Sequence, residues 1–126
     1  MAAKRIKDKN ADLDFEIGFF EGLLKKRPDY VPALTALGDA YTQRGYFEKG
    51  LEIDLRLSRM RPEDSLAHYN LACSYSLLEK IDPALTSLKK AIDLGYKDFL
   101  YMHRDPDLEN LRRDKRFQEL FKELKR

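Results

Sequence analysis

The sequence predicts an all-α fold, a superhelix of antiparallel helix pairs, and three observations lead to this prediction. Residues 31–62 and 65–96 are two copies of one pattern, set 34 residues apart. Each copy contains two segments in which apolar residues recur with helical spacing. Prolines and glycines, the residues that commonly end helices, separate these segments. Because a two-helix unit of this length cannot bury its apolar face alone, we expect neighbouring pairs to stack.

The repeat is visible in matching residues at equivalent positions. Small residues occupy the places where helices would cross, and Pro28, Pro62 and Tyr96 follow the same interval. The identical pairs are Ala33 with Ala67, Leu37 with Leu71, Tyr41 with Tyr75, and Leu51 with Leu85.

The predicted helices follow the chain in a simple order. Asp12 or Asp14 is expected to cap the first helix and Ser65 the fourth, because short polar side chains accept from free N–H groups. Gly45 and Gly95 are expected to end the second and fifth helices. The predicted helical segments cover residues 11–27, 31–44, 47–60, 65–78 and 81–94.

These residues resemble the tetratricopeptide repeat (TPR) family. The first copy supplies Leu37-Gly38 and Tyr41 at the family's positions, and the second supplies Leu71-Ala72 and Tyr75. Asp54 departs from the family, which buries an aromatic residue there. We expect Asp54 to be exposed or hydrogen-bonded to a tyrosine or arginine, since a lone buried carboxylate is costly.

The resemblance implies a concave face made by the first helix of each pair, and this face is the candidate partner-binding groove. Some family members clamp a C-terminal carboxylate there. Asn70 matches one clamp position and Arg104 another, but Thr35 and Asp39 replace the required lysine and asparagine, which argues against a clamp. The predicted groove residues are Thr35, Asp39, Thr42, Gln43, Tyr69, Asn70, Cys73, Ser76, Leu77 and Arg104.

The segment 11–27 corresponds to the second helix of a repeat whose first helix is missing. Its apolar residues form two faces, one of which contains Phe15, Phe19 and Leu23. Two interpretations stay open. The helix caps the domain and buries both faces, or the second face is a surface for self-association or for a target helix.

The two ends of the chain are basic. Residues 1–10 lack a helical period and are predicted to be a disordered basic arm, which leaves 11–126 as a single domain. Residues 97–126 are interpreted as a degenerate third unit with capping helices, and resemble a segment that closes repeat arrays in many bacterial proteins. Asp105 and Asp114 are expected to cap its helices, and Phe117, Leu120, Phe121 and Leu124 to form its apolar stripe.

The composition excludes several classes of function. The 24 basic and 22 acidic residues nearly cancel, which argues against nucleic acid as a partner. No stretch approaches the roughly 18 apolar residues of a membrane span, so no membrane insertion is expected. His68, His103 and Cys73 lack the spacing of metal ligands, and no catalytic or phosphate-binding motif occurs. We therefore predict no enzyme activity, no metal and no cofactor, and a cytoplasmic location.

The function predicted from the sequence is protein–protein interaction. The first hypothesis is an adaptor that binds a peptide or helix of a partner protein in the groove. The second is a scaffold that forms homo-oligomers, either through the face of Phe15 and Phe19 or by inserting the end of one molecule into the groove of another. The sequence does not identify the partner.

Overall fold

The computed structural model describes the backbone of residues 2–125 and the side chains of residues 9–125. Within these residues the regular structure is helical throughout and no strand occurs, which confirms the all-α fold of adjacent helix pairs. The helices are α1 (Ala2–Lys26), α2 (Val31–Arg44), α3 (Phe47–Met60), α4 (Ser65–Leu77), α5 (Ile81–Asp93), α6 (Phe99–Arg104), a 3-10 helix (Pro106–Leu108), α7 (Glu109–Arg112) and α8 (Lys115–Leu124).

Most helix boundaries agree with those predicted, and the expected glycines and aspartate caps are found at several of them. Gly45 follows α2 with φ 92°, and Gly95 lies just beyond α5 with φ 112°, a region that L side chains rarely adopt. The Asp105 carboxylate accepts from Asp107 N–H, and the Asp114 carboxylate accepts from Arg116 N–H, so both predicted caps are confirmed.

One predicted helix start and one predicted cap were wrong. The helix predicted from residue 11 begins at Ala2, so Asp12 and Asp14 cap nothing, and a helix lies where an unstructured arm was expected. Residues 2–7 are mostly alanine, lysine and arginine, which are good helix formers, and Gly18 is the first glycine. The cap of α4 is Asp64, whose carboxylate accepts from Leu66 N–H, rather than Ser65.

The chain divides into two compact units, Met1–Ile53 and Asp54–Arg126. In the first unit, α1 packs against α2 and buries Leu13 and Ile17 against Leu37 and Tyr41. Polar contacts join the same two helices, since Tyr41 donates from its hydroxyl to Glu21 at 2.5 Å and Arg44 pairs with Asp14 at 2.8 Å.

Gly50 shows why a small residue is needed where α3 meets α2 in this unit. A Cβ at Gly50 would lie 2.9 Å from Thr42 Oγ1, closer than side chains normally approach. The glycine therefore allows the close contact that the repeat pattern predicted.

The second unit has a core that extends from α4 and α5 into the C-terminal helices. Phe117 and Phe121 are buried in it, which confirms the predicted apolar stripe of α8. Asp54 is also buried here and accepts from Ser74 Oγ at 2.5 Å. Of the two predicted alternatives, the exposed Asp54 was wrong, and Ser74 supplies one hydrogen bond to the buried carboxylate.

Candidate protein-binding surfaces

The α4 side that was predicted to line the groove is largely covered by the C-terminal part of the same chain. The Tyr69 side chain is 4% exposed. Its hydroxyl donates to Asp105 Oδ2 at 2.6 Å, and its ring stacks on Tyr96 with centroids 4.1 Å apart. Tyr69 is therefore a core residue that joins α4 to the turn after α6.

Ser76 and Cys73 are buried in the same way. The Leu111 N–H donates to Ser76 Oγ at 3.1 Å, and the Asn110 side chain donates to the Ser76 carbonyl at 2.9 Å. The Cys73 thiol lies 3.8 Å from Asp105 Oδ2, and burial raises its pKa well above the ordinary value. The prediction that Tyr69, Cys73 and Ser76 line an open groove was wrong, because the C-terminal segment packs on them.

Asp105 holds this contact together. One carboxylate oxygen accepts from Tyr69 and the other accepts from Asp107 N–H, so the buried charge is hydrogen-bonded on both oxygens. Arg112 donates to the carbonyls of Asp105 and Met102, which ties α7 back to the end of α6. Because hydrogen bonds to charged groups are stronger than neutral ones, this arrangement fixes the segment on α4.

Three predicted groove residues of the second unit stay accessible. Asn70 and Leu77 are half-buried, and Arg104 is exposed. No residue in 9–125 forms a hydrogen bond with the Asn70 amide, so it can donate to and accept from another molecule.

In the first unit, the predicted groove residues lie along α2. Asp39 and Gln43 are exposed, while Thr35 and Thr42 are half-buried. Partial desolvation raises the pKa of the Asp39 carboxyl, although its side chain still reaches solvent. These residues form a polar surface with no aromatic anchor of the kind that dominates binding energy at interfaces.

Among the side chains that the structure describes in the first unit, the most exposed large apolar ones lie on α1. Phe15 is 76% exposed and Phe19 is 54% exposed, while Leu23 is half-buried. Leu13 and Ile17, on the other side of the helix, are buried against α2. This arrangement favours the second interpretation of α1, in which one face is packed and the other is free.

The repeat shows which residues of α3 and α5 correspond to this face. In the 34-residue frame, Leu23 corresponds to Leu57 of α3 and Ala91 of α5, and both of those residues are buried. Phe19 corresponds to Ser87 of α5, which is also buried. A first helix precedes α3 and α5 in their repeats, but in the described part of the chain no helix precedes α1.

The histidines have structural surroundings. The His68 Nε2 lies 2.8 Å from the Pro62 carbonyl, which can only accept, so Nε2 is the donor. His103 is at the surface and stacks on Phe121, with ring centroids 4.3 Å apart.

No cluster of potential metal ligands is found among residues whose positions the structure describes. None of the helices in that part of the chain is long and apolar enough to cross a membrane.

Comparison with known proteins identifies the class. A tetratricopeptide repeat family model matches residues 66–94, and the structure of MamA (residues 41 to the end) from Desulfovibrio magneticus RS-1 superposes with a TM-score of 0.71 at 19% identity, over 91% of this chain and 67% of that one. Together with the repeat and the helix pairs, these matches show that the chain contains a tetratricopeptide repeat at residues 66–94 and has the fold of a tetratricopeptide repeat protein.

A curated relative extends the comparison. A chloroplastic protein of Arabidopsis thaliana is 39% identical over 90 residues, which are 69% of this chain. The chain spans only 27% of the length of that relative. The similarity therefore concerns one part of a larger protein.

Proposed function

We propose that this protein is a self-associating scaffold and that the exposed face of α1 is its main contact surface. The observation that carries the proposal is the exposure of Phe15 and Phe19 on a helix whose other side is packed. Large aromatic side chains contribute much of the energy of protein interfaces because they bury apolar area at low entropic cost.

The state of the groove favours self-association through α1 over the binding of a peptide in the groove. The α4 side that would hold an extended peptide is occupied by residues 105–111 of the same chain, through hydrogen bonds to Tyr69 and Ser76. A peptide would have to displace this buried segment, whereas a protein that binds α1 displaces only water.

Binding of a separate protein partner in the groove is the second candidate. The observation in its favour is the half-buried Asn70 amide, which makes no hydrogen bond to residues 9–125. Such an amide can pair with the backbone of a bound segment. Asn70→Ala should then weaken capture of the partner, while a scaffold that uses α1 alone would be unaffected.

The test of the main proposal is the mass in solution at micromolar concentration, measured by sedimentation equilibrium. We expect the parent chain to exceed the monomer mass and Phe15→Ser/Phe19→Ser to be a monomer, because the change removes the exposed rings without touching the core.

A matched control is Leu66→Ser/Leu100→Ser, which removes two other exposed apolar side chains. This variant should associate like the parent. A parent chain that is monomeric at every concentration would refute the scaffold, and capture of another protein lost with Asn70→Ala would favour the groove. The cytoplasmic location stays a prediction.

A further inference from the structure

A cleft of about 420 Å³ lies between α6, α7 and α8 at the C-terminal end. Its apolar lining comes from Phe117 and Phe121, whose rings are parallel with centroids 6.3 Å apart. The His103 ring stacks on Phe121 and extends this aromatic surface. Phe117 and Phe121 are only 2% and 9% exposed, so the aromatic surface that the cleft offers to a ligand comes from the exposed His103 ring.

The rim of the cleft is basic. Arg112, Lys122 and Lys125 line it, and its described lining contains no carboxylate. Glu119 and Glu123 belong to α8 but do not line the cleft. Arg112 donates only to neutral carbonyls, and the Lys125 ammonium lies 5.1 Å from the centre of the Phe121 ring, so neither charge is neutralised by these contacts. The ligand that fits is acidic and aromatic.

The exposed face of α1 has this chemistry. Asp12 and Glu16 are exposed and lie within one turn of Phe15 and Phe19 on the helix, because residues three and four apart are neighbours. Asp14 and Glu21 are already engaged by Arg44 and Tyr41, whereas no cation in residues 9–125 pairs with Asp12 or Glu16. Two phenylalanines and two carboxylates thus share one exposed face, beside Lys9, which is exposed and lies three residues before Asp12.

We infer that the basic cleft accepts the α1 face of a second copy, so that copies join head to tail. The inference rests on the proposed self-association and adds the receptor surface. Aromatic rings of α1 would pack on the exposed His103 ring of the cleft, while Asp12 and Glu16 meet Lys122 and Lys125. Because the two surfaces differ, the contact is heterologous and produces chains or rings rather than a closed symmetric dimer.

The first experiment is charge reversal in the cleft. Lys122→Glu/Lys125→Glu should weaken self-association by about tenfold or more, since like charges placed across an interface oppose binding. The control is Lys89→Glu/Lys90→Glu, which makes the same change in net charge at exposed sites of α5 outside the cleft. Adding Asp12→Lys/Glu16→Lys to the cleft variant should restore association, because the charge pairs are then exchanged.

A mixing experiment distinguishes this contact from a symmetric one. The Phe15→Ser/Phe19→Ser variant keeps the cleft, and the Lys122→Glu/Lys125→Glu variant keeps the aromatic side chains of α1. Because each variant lacks one of the two contact surfaces, each alone should be mostly monomeric.

For the mixture, the α1 face of the cleft variant must meet an intact cleft on the other variant. If the contact is head to tail, sedimentation of the mixture should show a one-to-one dimer of the two variants. If copies instead pair symmetrically, α1 against α1, no such dimer should form. If the cleft variant associates like the parent while the phenylalanine variant is monomeric, the head-to-tail contact is overturned and the scaffold survives. If the phenylalanine variant also associates like the parent, the proposed function itself fails.

Discussion

The helices α1 and α5 occupy the same place in the 34-residue repeat but differ in what covers them. In α5, Ser87 and Ala91 are buried, because the helix belongs to a complete pair that the C-terminal helices extend. In α1, the corresponding Phe19 and Leu23 are exposed and half-buried. The comparison of α1 with α5 shows that the position in the repeat sets the direction of a side chain. Whether that side chain is buried depends on the neighbouring element.

The two ends of the chain repeat this contrast. Toward the C-terminus, a closing segment, residues 105–124, packs on the last repeat. It is attached through the buried polar and apolar contacts of Asp105, Arg112 and Phe117. The described part of α1 carries no such closing segment on the face of Phe15 and Phe19. This difference in exposure is the basis on which we propose the α1 face as a contact surface.

The largest expected effect on stability is that of removing a phenylalanine ring from the core, and we compare it with removing an exposed phenylalanine ring from α1. Phe117→Ala should lower the free energy of unfolding by about 3–5 kcal/mol, the usual cost of removing a buried ring. Phe15→Ala should change it by less than about 0.5 kcal/mol, as exposed substitutions do. Urea unfolding monitored by circular dichroism measures both, and equal effects would show that the two ends are packed alike.

A smaller effect is expected for the hydrogen bond that attaches the closing segment. Tyr69→Phe keeps the stacked ring but leaves Asp105 without its hydroxyl donor, so the free energy of unfolding should fall by about 1–3 kcal/mol. The control is Tyr101→Phe, because the Tyr101 side chain is exposed. Urea titration at neutral pH gives the comparison, and a Tyr69→Phe variant as stable as its control would remove Asp105 from the attachment.

The smallest effect is expected for the ion pair between α1 and α2. Asp14→Ala removes the partner of Arg44, but the Asp14 side chain is half exposed, so the loss should stay within about 0.2–1 kcal/mol. Raising the salt concentration should shrink the difference between parent and variant, because screening weakens exposed pairs. A loss as large as that of Tyr69→Phe would mean that α1 is attached as firmly as the C-terminal segment.

Local patterns predicted much of the fold. The bounds of α2 and α3, the αL glycine Gly45 and the caps Asp105 and Asp114 were all predicted correctly, because each depends on residues within one or two turns. The start of α1 differs from the predicted one, because residues 2–10 form a helix without an apolar period. The good helix formers at residues 2–7 were the available signal.

The candidate site was predicted less well, and the reason is distance along the chain. Tyr69 and Asp105 are 36 residues apart, and Ser76 and Leu111 are 35 apart. A spacing close to the repeat length was the one available signal that the third unit would cover the second. The sequence prediction left the groove side of α4 open to a partner protein, but the C-terminal segment of the same chain packs there.

The sequence by itself determined the helix pairs and their 34-residue register, because helical periodicity and turn residues act over a few residues along the chain. Only the tertiary structure decided which apolar and polar side chains are available. Tyr69, Cys73 and Ser76 became core, Phe15 and Phe19 remained exposed, and Phe121 with Lys122 and Lys125 formed a cleft. Exposure depends on which distant segment packs over a residue, and that is set by the summed burial of the whole chain rather than by any local pattern.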